Sequence, residues 1–205
     1  MKHVSAVMSA EGEKPARLLS LDRKWSYTIA VAGFALLTAA GAKVSIPVPG
    51  SPVPGTLQTL PVLLAGLLLG ARLGALSQAT YLVLGLAGLP VFALPGAGPA
   101  YLLGPTGGYL FGFVAAPWIA GTLAPPIRGS GFLRRFTAVI AGTLAIHAAG
   151  ICWLSLFYLP PAVAVAAGSL PFLGFDLAKA ILACALAGAA GAVSRIVPWT
   201  SRSEG

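Results

Sequence analysis

The sequence predicts an all-α fold: an integral membrane bundle of six transmembrane helices whose outer loops are rich in proline and glycine. Three observations lead there. Hydrophobic residues fill 57% of the 205 positions and charged residues only 9%, whereas a soluble domain carries about 25% charged residues. A chain so poor in charge cannot clothe itself for water, so the bilayer is its solvent. The apolar residues run in stretches that reach, or nearly reach, the roughly 20 residues needed to span a hydrocarbon core. The basic residues sit in the short hydrophilic segments between those stretches.

The predicted spans are residues 25–42, 57–69, 73–89, 109–123, 136–159 and 170–197. Residues 1–24 are polar and mixed in charge, with no apolar core followed by a cleavage site, so they read as a cytoplasmic lead and not as a signal peptide. Residues 25–197 form the membrane domain, and residues 198–205 a cytoplasmic tail. Several spans are short, and the segments beside them are apolar but broken by proline: VSIPVPGSPVPGT at 44–56 and PVFALPGAGPAYLLGPTGG at 90–108. Proline removes a backbone donor and ends helices. Irregular backbone at membrane depth persists only when buried in protein or lining a cavity. Both loops are therefore expected to fold over or into the bundle, and to mark a site on their face.

Charge sets the orientation. Lys2, Lys14, Arg17, Arg23, Lys24, Arg72, Arg128, Arg134, Arg135, Arg195 and Arg202 fall on one side of the predicted bundle, eleven of the thirteen basic residues. Lys43, at the far end of helix 1, and Lys179, inside helix 6, are the exceptions. Such a bias predicts a plasma-membrane protein with both termini in the cytoplasm. Both proline-rich loops and the connection LPPAVAVAAGS (159–169) then lie outside. The net charge of +8 is thus a topology signal. No basic face interleaved with aromatics marks a nucleic-acid binder.

Candidate chemistry is confined to few residues. Asp176 is the only acid within a predicted span, and Lys179 follows on the same helix face. A charge inside the membrane is costly and usually faces a cavity or a pathway. The pair reads either as a self-neutralising structural ion pair or as a polar site for a ligand that bears a carboxylate and N–H donors. The chain has no asparagine and two glutamines. Gln58, at the start of helix 2, offers both donor and acceptor to an amide-like or urea-like ligand; Gln78 lies nearer the inner side and suits interhelical bonding. Tyr81, Phe92, Tyr101, Tyr109, Phe111 and Phe113 cluster near the outer loops, as interfacial aromatics or as the wall of an apolar pocket. His147, with no acid nearby in sequence, reads as an interhelical residue before a ligand. Cys152 and Cys184 fall in apolar runs and read as small buried residues. With two cysteines, two histidines and no ligand spacing, no metal site is expected. No cofactor is expected either, and there is no P-loop, nucleophile elbow or H-E-x-x-H motif.

The motifs IPVPGSPVPGTLQT (46–59), GLAGLPVF (85–92), GPTGGYLFGF (104–113) and DLAK (176–179) resemble, in order and spacing, the BioY family of biotin-binding S components of energy-coupling-factor (ECF) transporters. The resemblance implies a substrate-capture subunit that binds biotin from the outer side. It implies as partners a transmembrane coupling subunit and two ATPases, with a homo-oligomer as the other assembly to consider. As site residues it points to Asp176, Lys179, Thr56, Gln58, Thr106, Gly107, Gly108, Tyr109 and Phe92. Within that reading Lys179 meets the carboxylate and Asp176 accepts a ureido N–H. The small residues Ala35 and Ala39 of helix 1 would dock on the coupling subunit, against the plainer reading of packing within the bundle. The competing function is a membrane enzyme that uses Asp176 and Lys179 as acid and base. It lacks a nucleophile, a metal site or a second carboxylate.

Overall fold

A computed structural model describes residues 23–124 and 131–196. The N-terminal lead up to residue 22, the tail at 198–205 and Arg128 lie outside the described residues. The chain is a helical bundle. Helix α1 (Arg23–Lys43) leads into a two-residue hairpin, β1 (Ser45–Ile46) against β2 (Gly55–Thr56), antiparallel with Ser45 opposite Thr56. Then come α2 (Thr59–Leu86), a single turn α3 (Pro99–Leu102), α4 (Gly107–Leu123), α5 (Phe132–Phe157), a short α6 (Pro161–Gly168), a 3-10 turn (Leu170–Phe172) and α7 (Leu173–Ile196).

By length alone α2 would be one span of 28 residues. It is instead a helical hairpin. Gln58 bonds Tyr81, 23 positions on, and a straight helix would hold two such residues about 34 Å apart. The reversal sits at Gly70, whose φ of 78° and ψ of 179° are open to glycine and strained for other residues. A Cβ on Gly74 would lie 3.1 Å from the Ala65 backbone, so the two limbs run in close contact. The limbs, 59–69 and 71–86, supply the second and third predicted spans. With α1, α4, α5 and α7 they make the six membrane helices. The first limb is too short to cross a bilayer by itself.

Packing is by small residues, as expected where lipid and protein are equally apolar. A Cβ on Gly66 would come within 2.8 Å of the Pro117 carbonyl, and one on Gly112 within 2.8 Å of the Ile146 Cα. These two glycines seat α4 against α2 and α5. Gln78 makes the interhelical bond its position suggested: its Oε1 accepts from Thr38 of α1 at 3.1 Å, and its Nε2 donates to Ser77 at 3.1 Å.

Two expectations are corrected here. Ala35 has no exposed surface and sits in the core cluster, and Ala39 packs half-buried against the same cluster. Ala35 therefore presents no docking surface and Ala39 only part of one; the exposed side of α1 carries Leu36, Leu37 and Ala40. Cys184 is buried as expected, but Cys152 is exposed. An apolar helix in a bilayer has an outward face as greasy as its inward one, so apolar surroundings in sequence do not imply burial in protein.

Candidate functional site

One end of the helix bundle and the loops there enclose a cavity of about 560 Å³ of atom-free space, its mouth included. Its wall is drawn from Val53 and Pro54 of the 47–54 loop, Thr56 of β2, Gln58 and Thr59 at the start of α2, Tyr101 of α3, Tyr109 and Phe113 of α4, Ile146 and His147 of α5, and Phe172, Asp176 and Lys179 around the start of α7. Prolines break the chain at the rim. The loops can therefore turn inward while glycines let the helices beneath close up.

Asp176 is the hub of the polar end. Its Oδ1 accepts from Lys179 Nζ at 2.8 Å and from the Thr59 hydroxyl at 3.1 Å. Lys179 Nζ also donates to Thr59 Oγ1 at 2.9 Å, which closes a ring of three side chains. The other carboxylate oxygen, Oδ2, lies 2.9 Å from His147 Nε2, and His147 Nδ1 lies 3.1 Å from Ser169 Oγ. Both contacts are satisfied when the imidazole donates through Nε2 and the serine hydroxyl donates to Nδ1. Asp176 is 5% exposed and His147 6%. An acid so placed inside a bilayer needs compensation from every side, and α2, α5 and α7 each supply it. The cluster nevertheless keeps capacity for a ligand. A carboxylate has about four lone-pair sites and an ammonium three N–H donors, and the bonds above leave one of each unused.

A second polar group stands beside the first. Gln58 Oε1 accepts from Thr56 Oγ1 at 3.1 Å, and its Nε2 donates to Tyr81 OH at 2.6 Å. Tyr109 donates its phenol to the Gly168 carbonyl at 2.6 Å and turns its ring edge-on to His147. That phenol is committed, so Tyr109 contributes its ring to the cavity. Thr106 reaches the cavity with a hydroxyl that makes no hydrogen bond to the described residues.

Of the residues singled out from sequence, the structure brings Asp176, Lys179, Thr56, Gln58, Thr106 and Tyr109 to one cavity. Three do not line it. Phe92 is 1% exposed and lies behind the wall, edge-on to Tyr81 and stacked on Tyr101 at 4.3 Å between ring centres. Its ring fills the space left by the missing side chain of Gly85, so Tyr101 takes the place expected of it. Gly107 abuts the Leu102 carbonyl of α3, and Gly108 faces Trp153 of α5; a Cβ on Gly108 would approach the Ala149 carbonyl to 2.6 Å. Their smallness serves helix packing and not ligand approach. Sequence reading missed Thr59 and Ser169 and gave His147 no partner. Each intramembrane ionisable group must find a partner somewhere in the bundle, and that requirement was the available signal linking His147 to Asp176. Among the described residues no cluster of metal-ligating side chains occurs.

Comparison with known proteins bears on what such a cavity holds. A family model described as the BioY family matches residues 14–196. A protein of Thermotoga maritima named biotin transporter BioY is 40% identical over 154 residues, covering 75% of this chain and 89% of that protein. A protein of Pyrococcus horikoshii named probable biotin transporter BioY is 43% identical over 157 residues, covering 77% of this chain and 91% of its own length. A crystal structure described as the S-component for biotin from an ECF-type ABC transporter is similar with a TM-score of 0.76 and 26% identity, covering 84% of this chain and 94% of that one.

Proposed function

The chain belongs to the BioY family, and on that footing we propose that it is the substrate-capture subunit of a biotin uptake transporter, a multi-pass membrane protein that binds and does not chemically alter its ligand. The observation that carries the ligand is the pairing of Asp176 and Lys179, 2.8 Å apart at the buried end of a cavity walled by aromatic rings and a few hydroxyl and amide groups. An acceptor and a donor side by side complement a cyclic urea, which offers N–H and C=O from the same ring. Aromatic walls from Tyr101, Tyr109, Phe113 and Phe172 suit the fused apolar body. The membrane enzyme gives way to this reading, because the family is one of transporters.

Sequence alone put the ligand carboxylate on Lys179. The anion at Asp176, with one acceptor site still open, favours the opposite order. A second anion beside Asp176 would add like-charge repulsion in a poorly screened site, whereas a neutral ureido ring adds none. The carboxylate then lies toward the mouth, near the hydroxyls of Thr56 and Thr106. Titration of purified protein with biotin and two analogues tests this. Biotin should bind one per chain. Diaminobiotin, which lacks the ureido carbonyl, should bind about ten- to a hundredfold more weakly, the usual worth of a hydrogen bond to a charged group. Biotin methyl ester should lose less. A larger loss for the ester would restore the carboxylate to Lys179.

The partners follow from what the chain lacks. These 205 residues carry no nucleotide-binding motif, so uptake driven by ATP takes its energy from other subunits. We assign those as a membrane coupling subunit and two ATPases, in keeping with the S-component similarity. The charge bias supports cytoplasmic termini. Cysteines introduced at Ser51 and Gly96 should react with an impermeant reagent from outside the cell, and one at Ser130 should not. Outside labelling at Ser130 would invert the topology.

A further inference from the structure

Three consecutive backbone carbonyls of the outer loop are each held by a side chain from another element. Lys43 Nζ donates to the Pro90 carbonyl at 2.6 Å and to the Phe92 carbonyl at 2.9 Å. Tyr81 donates its phenol to the Val91 carbonyl between them at 3.2 Å. Lys43 ends α1 and is a basic residue on the outer side, against the charge bias of the chain. An unengaged lysine at a helix end extends toward water and headgroups; this one turns back onto the loop. Beneath the three carbonyls the Phe92 ring is wedged edge-on against Tyr81 and stacked on Tyr101. Tyr101 forms cavity wall, and its hydroxyl accepts the Leu94 N–H at 3.0 Å.

We propose that Lys43 is a positioning residue: it latches the end of α1 to residues 90–92, holds Phe92 beneath Tyr101, and so fixes the outer wall of the cavity around bound substrate. Lys43 does not line the cavity. It acts through Phe92 and Tyr101, and its removal leaves the polar end of the site intact. The cation matters because it gives each of two carbonyls a charge-assisted bond from one atom, which a neutral side chain of that length cannot do. Biotin as the substrate rests on the function proposed above; the latch itself does not.

Lys43→Met and Lys43→Arg separate the two. In empty protein, hydrogen exchange at the Leu94 amide, bonded to Tyr101, and at the Gly98 amide, which donates to the Gly85 carbonyl at 2.8 Å, reports local opening of the loop. Lys43→Met should exchange there about tenfold faster than wild type, and biotin should dissociate faster by about the same factor. Association and the thermal midpoint of the empty protein should change little, and Lys43→Arg should restore both rates. Exchange and dissociation both unchanged in Lys43→Met would overturn the latch. So would faster dissociation that Arg fails to rescue and that tracks a general loss of stability. Wild-type protein that binds no biotin would defeat the biotin reading, and the exchange comparison would still decide the latch.

Discussion

Asp176→Asn weakens biotin binding by roughly thirty-fold to a few thousand-fold in protein that still folds in detergent, and Lys179→Met does the same. The range corresponds to the about 2–5 kcal/mol lost when one partner of a buried, hydrogen-bonded charge pair is removed. Asn keeps the shape of Asp176 but withdraws the anion that faces Lys179, Thr59 and His147 at once. Its amide can present one oxygen where the carboxylate presented two, so either Lys179 or His147 loses its acceptor. Met keeps most of the Lys179 stem and deletes the donor intended for the ureido carbonyl. Thermal unfolding of the empty proteins must be measured beside affinity, because breaking a buried pair also costs stability.

Ala35→Trp abolishes folding, and with it biotin binding. Ala35 has no exposed surface, and the indole has no space to enter. Overpacking by far smaller groups costs about 1–3 kcal/mol, so a bicyclic ring should exceed the stability margin of the bundle. The variant should aggregate on extraction. Leu36→Trp is the control: Leu36 is 61% exposed, and the tryptophan there should leave the fold and biotin binding intact. Folded, biotin-binding Ala35→Trp would return Ala35 to the docking face that the sequence pattern suggested.

The fate of Ala35 shows what a membrane sequence reveals and what it hides. The spans, the two inward-folding loops and the DLAK pair were legible because each depends on local chemistry: apolar length, proline in apolar surroundings, two charges on one helix face. Which face of α1 points inward was not legible. In water a helix buries its apolar stripe, but in lipid both faces are apolar and hydrophobic period loses its meaning. The His147 to Asp176 contact was hidden for another reason. The two residues lie 29 positions apart and meet only because α5 and α7 pack side by side. Phe92 was expected on the cavity wall beside Tyr101, but it sits behind Tyr101 because the missing side chain at Gly85 makes room for its ring, a packing detail that composition does not carry.

The central claim is that the Asp176–Lys179 pair recognises ligand and is not merely a structural ion pair, and the double variant Asp176→Leu/Lys179→Met tests it most directly. Replacing a buried ion pair by apolar residues of similar size is often neutral or stabilising, so the doubly substituted protein should fold at least as well as either single variant. Labelled biotin should nevertheless bind it no better than it binds the single variants, since the acceptor and the donor for the ureido ring are both gone. Recovery of folding together with wild-type biotin affinity would contradict the account and leave the pair as a structural element alone.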